Sequence, residues 1–177
     1  MTSDVYPHPG PRFCHQCGAA VRLQVVPEED RERLVCEACG FIHYLNPRVV
    51  AAAIPERTGD DGRRHLLLMR RAIEPRRGYW TPPGGFVELG ESTEEAAVRE
   101  SEEEVGVELE VAGLVGVYSR PQVGIVVVVH RARALSGEAR PGAEALEARW
   151  FAADDIPWDD LASETTSAAL RDWVAAG

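Results

Sequence analysis

The chain has 177 residues, which suits one main domain with a small appendage. Its 45% hydrophobic and 27% charged content is ordinary for a globular protein, and 19 basic against 29 acidic residues leave a net charge of −10. That balance argues against general binding of nucleic acid or of an anionic membrane, and no apolar run approaches the roughly 20 residues of a membrane span.

The opening, MTSDVYPHPGPRF, has neither the basic nor the apolar stretch of an export signal, so the expected compartment is the cytoplasm. All four cysteines follow in two pairs, FCHQCGAA and VCEACGFI. Cys14 and Cys17 are separated by two residues, as are Cys36 and Cys39. This is the spacing of two facing zinc knuckles, and Gly18 and Gly40 stand where each knuckle turns. Disulfides are the alternative, disfavoured in a reducing compartment. Four thiolates leave no open coordination position, so the Zn2+ is expected to be structural and His15 a surface imidazole. Residues 12 to 44 carry four arginines against five acids, so this ribbon is no basic patch for nucleic acid. Packing against the main domain or a dimer surface is expected of it instead. The predicted domains are 1–45, the ribbon with its N-terminal tail, and 46–177.

Beyond Asn46-Pro47, RVVAAAIPE and HLLLMRR read as strands about a turn at ERTGDDGRR. AIEPRRGYWTPPGG reads as a loop. A helix is predicted from Ser92 to Val105, with Ser92 and Glu95 forming a capping box and Gly106 a stop. VELEVAGLVGVYS and VGIVVVVHRARA read as an antiparallel pair and EARWFA as a further strand. SETTSAALRDWVAA reads as a terminal helix capped by Ser163. The expected fold class is α+β, as an α/β sandwich.

The predicted helix ends in RESEEEVG, where carboxylates face the negative end of the helix dipole. Glu100, Glu103 and Glu104 share one face, whereas Glu102 points elsewhere. Three hard oxygen ligands on one face suit Mg2+ or Mn2+, and Mg2+ shares its shell readily with phosphate oxygens. On spacing alone a solvated glutamate-rich face remains open.

From Gly85 the pattern runs through Glu91, Arg99-Glu100, Glu103-Glu104 and Gly106-Val107. It resembles the signature of the Nudix hydrolases; Ser101 departs from it, standing where that family usually has an aliphatic residue. The resemblance implies an α/β/α sandwich with a loop–helix–loop that holds divalent metal and hydrolyses nucleoside diphosphates linked to another group. By position it implies Glu100, Glu103, Glu104 and the Gly85 carbonyl as metal ligands, and Glu91 with Arg99 as the ion pair pinning loop to helix. With its ribbon, NPRVV, RRGYWTPPGGFVELGES and RPGAEALEARWFAADDIPWDDLA, the chain is similar to a short ribbon-bearing type like a plant chloroplast FAD and ADP-ribose pyrophosphatase. NADH pyrophosphatases carry SQPWPFPxS, with which YSRPQVGIVV shares only a Ser and a Pro.

The implied reaction is attack of water on a pyrophosphate phosphorus, releasing AMP from FAD or ADP-ribose. Glu103 and Glu104 are the candidate bases. Glu147 matches a position where ribbon-bearing relatives place a further metal-binding acid, and Glu144 is a weaker candidate. Arg71, among Arg70, Arg76 and Arg77, is the expected phosphate contact. Trp80 is a candidate for stacking on a flavin or adenine or for the core; Trp150 is expected in the core. The resemblance implies a homodimer acting on a small nucleotide. NADH hydrolysis and a non-catalytic nucleotide-binding regulator are the alternatives.

Overall fold

A computed structural model of the chain describes residues 10–27, 29–135 and 138–177. Residues 1–9, most of the stretch on which an export signal is not expected, lie outside them. No helix among the described residues is long and apolar enough to cross a membrane. The chain divides into two compact units, one running to Pro47 and including Pro121–Gly124, the other formed by Arg48–Arg120 and Ile125–Gly177.

The first unit holds three short strands, β1 (Val21–Val25), β2 (Glu32–Cys36) and β3 (Ile42–His43), joined antiparallel in that order. Gly18 and Gly40 adopt φ of 75° and 72°, the left-handed turns that the two Cys-x-x-Cys-Gly segments require.

The second unit is built on β4 (Arg48–Thr58), β5 (Arg64–Arg71), β6 (Trp80–Thr81), β7 (Gly84–Phe86), β8 (Leu109–Arg120), β9 (Ile125–Ala134) and β10 (Ala145–Ala152). The main path across the sheet is β10-β5-β4-β9-β8, with β6 paired to β5 and β7 to β4. β4 and β9 run parallel and every other pair is antiparallel. A parallel pair needs a long crossover, and that crossover contains α1 (Thr93–Val105). The second helix, α2 (Glu164–Ala175), closes the chain.

Period-two alternation splits the side chains of the sheet between two cores. Ala51, Ala53, Leu67, Met69 and Ala132 pack with Ala96, Ala97 and Val105 of α1. The intervening Ala52, Ile54, Leu66, Leu68 and Val129 pack with Ala169, Leu170 and Trp173 of α2. The result is the expected α+β sandwich with one helix on each face. Docking of α2 is directional as well as apolar. The Trp173 indole N–H donates to Glu56 Oε2 at 3.0 Å, and the Arg64 guanidinium lies 3.9 Å from that ring's centroid.

Candidate active site

The four cysteine sulfurs lie within 4.8 Å of one another. Cys14 and Cys39 sulfurs are 3.7 Å apart, and those of Cys17 and Cys36 are 3.5 Å apart. A disulfide needs about 2.05 Å, whereas a tetrahedron with Zn–S bonds of about 2.3 Å has edges of about 3.8 Å. The spacing therefore fits Zn2+ and not a disulfide. Cys14 and Cys36 are buried and the other two exposed. A backbone N–H at Cys39 aimed at the Cys36 sulfur lowers that thiol's pKa.

The carboxylate helix begins as its sequence dictates. Ser92 Oγ accepts from Glu95 N–H, and the Glu95 carboxylate accepts from Ser92 N–H at 2.7 Å. Gly106 ends it at φ 66°. Buried His130 on β9 lies with Nε2 3.1 Å from Thr93 Oγ1, in the first turn. Thr93 Oγ1 also lies 3.0 Å from Glu94 Oε2; with its proton directed there, the hydroxyl accepts from His130 as the Nε2–H tautomer. No sequence pattern pointed to His130.

Arg99 is the hub of the site. Its Nε and Nη2 reach the two Glu91 oxygens at 3.1 and 2.8 Å, and Nη2 also donates to the Phe86 carbonyl at 3.2 Å. Nη1 donates to Glu100 Oε1 at 2.8 Å and to Glu103 Oε2 at 3.5 Å. One guanidinium thus ties loop to helix and contacts two of the three carboxylates, its single charge shared among them and Glu91. Glu91, held by Arg99 first and by Glu88 N–H second, titrates below the usual carboxylate range.

Glu104 behaves differently. It is 6% exposed, and its Oε2 accepts from Gly84 N–H at 2.8 Å. Burial outweighs that bond and pushes its carboxyl up to about 7; the neighbouring Glu100 and Glu144 charges add to the rise and Arg71 opposes it. Gly85 faces Glu100 so closely that a Cβ there would strike the carboxylate. Glu100 and Glu104 thus bring hard oxygens, the donor type a small divalent cation takes, to the glycine segment, while Glu103 on the same helix face is more exposed; among the described residues only the four cysteines converge within 4.8 Å.

Ser101, fully buried, turns its hydroxyl back to the Ala97 carbonyl at 2.7 Å. Its departure from an aliphatic residue is absorbed within the helix.

Two expectations are corrected. Trp80 is 7% exposed and packs edge-on to Phe151 at 5.0 Å in the α2-side core, so it offers no stacking face. The exposed ring beside the glycines is Phe86, 44% exposed, with the Arg48 guanidinium 4.3 Å above it. Glu147 stands opposite Arg70, and strand alternation sends both toward the α2 side. Besides Glu100, the acid that acts electrostatically on Glu104 is Glu144, just before β10. Arg71 alternates to the α1 side and reaches Glu104 electrostatically, while its Nε donates to the Pro75 carbonyl at 3.0 Å. Trp150 is half-buried on the α1-side core under Arg57, as expected of a packing residue.

A NUDIX domain model matches residues 47–174, and a Nudix N-terminal zinc-ribbon model matches residues 12–45. The chain belongs to the Nudix family. Among similar Nudix proteins, the ADP-ribose pyrophosphatase of Methanocaldococcus jannaschii is 37% identical over 118 residues, 64% of this chain and 67% of that protein. The NAD-capped RNA hydrolase NudC of Pseudomonas aeruginosa is 34% identical over 150 residues, 82% of this chain, but the chain spans only 49% of that relative's length. A solved NUDIX hydrolase from Nitrosomonas europaea superposes with a TM-score of 0.84 at 38% identity, covering 91% of this chain and 89% of its own. The protein is accordingly a Nudix hydrolase.

Proposed function

We propose that this hydrolase cleaves the pyrophosphate linkage of a nucleoside diphosphate derivative, ADP-ribose or FAD, releasing AMP with Mg2+ or Mn2+ as the required ion. The observation that carries the reading is the pairing of the carboxylate helix with the glycine segment, Glu100 against Gly85 and Glu104 on Gly84 N–H. Glu100, Glu103, Glu104 and the Gly85 carbonyl would hold a divalent ion, which when bound would offset charge on the phosphate oxygens and lower the pKa of a coordinated water. Arg99 keeps two of those carboxylates oriented, and Glu91 keeps Arg99 in place. Arg71, its stem fixed by the Pro75 carbonyl, turns its remaining N–H groups to a substrate phosphate. Glu103 and Glu104 are the candidates to take the water proton, and the Glu104 carboxylate is oriented for it by the Gly84 N–H.

ADP-ribose stands first because the ADP-ribose pyrophosphatase relative is matched over two thirds of its length. A second reading, hydrolysis of NADH or of NAD-capped RNA, is favoured by the NudC-named relatives, matched across 82% of this chain. The net charge of −10 weighs against the RNA form. The division at 45/46 and a homodimer belong to the same proposal, the latter checked by light scattering after gel filtration.

The test incubates purified protein and its Glu103→Gln variant with Mg2+ or Mn2+ and ADP-ribose, FAD, NADH or an NAD-capped oligonucleotide, with products resolved by chromatography. AMP plus ribose phosphate, or AMP plus FMN, lost in the variant, is expected. Binding without turnover of any substrate overturns the reading in favour of a nucleotide-binding regulator.

A further inference from the structure

The last turn of α1 carries Glu103 and Glu104 and ends without a basic residue. A helix leaves its final carbonyls without intrahelical partners. Gly106 N–H takes the Glu102 carbonyl at 3.0 Å. Two others are taken by the loop before β10: Arg140 N–H donates to the Val105 carbonyl and Gly142 N–H to the Glu104 carbonyl, each at 2.8 Å. The same loop continues through the Gly142 carbonyl, which accepts from Ala145 N–H, and the Glu144 carbonyl, which accepts from Ala72 N–H at 2.8 Å. One short segment therefore links the end of the carboxylate helix to the end of β5, where Arg71 sits.

Gly142 is the tight point. A Cβ there would fall far inside van der Waals contact of the Glu103 carbonyl oxygen, and 3.3 Å from both the Glu103 carbonyl carbon and Glu104 Cα. These are backbone atoms, so no side chain can swing aside. Gly142 is not among the residues with positive φ, so the demand is for space and not for an unusual backbone conformation.

We infer that Gly142 is a positioning residue: the absence of a Cβ lets its N–H close on the Glu104 carbonyl and thereby sets where the Glu103 and Glu104 carboxylates stand. The inference rests on the reading that these two glutamates serve the reaction. Adding a methyl group forces the helix end or the loop to shift by on the order of 1 Å, a misplacement that costs about 100-fold in rate when it reaches the reacting groups.

The experiment compares Gly142→Ala with wild type and Glu103→Gln in the full chain, with ADP-ribose and a Mg2+ titration. The expected result for folded Gly142→Ala, checked by circular dichroism and zinc content, is a kcat lower by about 100-fold. KM should change little, and half-activation should need more Mg2+. Mere loss of folded protein would scale activity equally at every Mg2+ concentration. An inactive Glu103→Gln beside a folded Gly142→Ala with wild-type kcat and Mg2+ dependence overturns the inference alone. A fully active Glu103→Gln overturns the reading beneath it. If Gly142→Ala does not fold, amide exchange in the wild type decides. Arg140 and Gly142 amides protected like those of Glu104 and Val105 support the clamp, and free exchange at both rejects it.

Discussion

Glu104 Oε2 and the backbone N–H of Gly84 meet at 2.8 Å, joining the end of the carboxylate helix to the glycine segment of β7. The bond orients a carboxyl that burial holds near pH 7. The contact sets orientation, and burial, which it only partly offsets, sets the titration.

The pH dependence has a definite sign. Unfolded, Glu104 titrates near 4.5; folded, it titrates at about 7. Between those values the folded state holds the proton more tightly, so stability falls as pH rises and the full cost, roughly 3 kcal/mol, is reached above pH 7. In metal-free urea denaturation, wild type should weaken from pH 5 to 7.5 relative to Glu104→Gln. Parallel curves for the two proteins would contradict the raised carboxyl.

Arg99→Ala should destabilise the fold by about 1–3 kcal/mol, the scale of lost hydrogen bonds to charged groups, and leave Glu100 and Glu103 without their counter-charge. Arg99→Lys keeps the charge but not the fork that spans Glu91, Glu100 and the Phe86 carbonyl, so it should recover only part of the stability. Urea midpoints and kcat for the two variants check this; equivalence of Lys and Arg would show that charge alone matters.

Metal removal separates the two proposed ion sites. EDTA followed by excess Mg2+ should restore hydrolysis while the cysteine site still holds one zinc per chain. Cys36→Ser should lose that zinc, measured by atomic absorption, and lower the first unit's resistance to proteolysis. Full zinc content in Cys36→Ser would remove Cys36 from the site.

Ser101 is fully buried with its hydroxyl on the Ala97 carbonyl. Ser101→Ala removes donor and acceptor demand together and should change stability by less than about 1 kcal/mol. Ser101→Leu, replacing the hydroxyl with a bulkier branched chain in a closed site, should cost about 1–3 kcal/mol. Thermal melts decide; a severe loss in Ser101→Ala would mean the back-bond matters to the helix.

Local chemistry was readable from the chain where neighbours along it determine the outcome. The capping box of Ser92 and Glu95, the stop at Gly106 and the paired cysteine knuckles all involve residues a few positions apart. The Arg99–Glu91 pair was legible only because the family pattern spans both residues. The parallel pairing of β4 with β9 was not legible, because an apolar strand carries no record of its partner's direction.

Side-chain destinations mark the same boundary. Composition, spacing and periodicity were enough for a zinc ribbon, two helices and a shared carboxylate face, since each depends on residue type and local register, whereas the assignment of metal to that face came from the family pattern. Whether Trp80 stacks on a ligand or fills a core depends on which side of a distant strand it meets, and packing against Phe151 decided that. Glu144, just before β10, raises the Glu104 carboxyl, whereas alternation along β10 places Glu147 on the α2 side of the sheet. His130 under Thr93, and Gly142 against the Glu103 carbonyl, exist only once segments about 40 residues apart are brought together. Burial, electrostatic distance and steric clearance are set by tertiary packing, and those decided how the candidate carboxylates are charged and where they point.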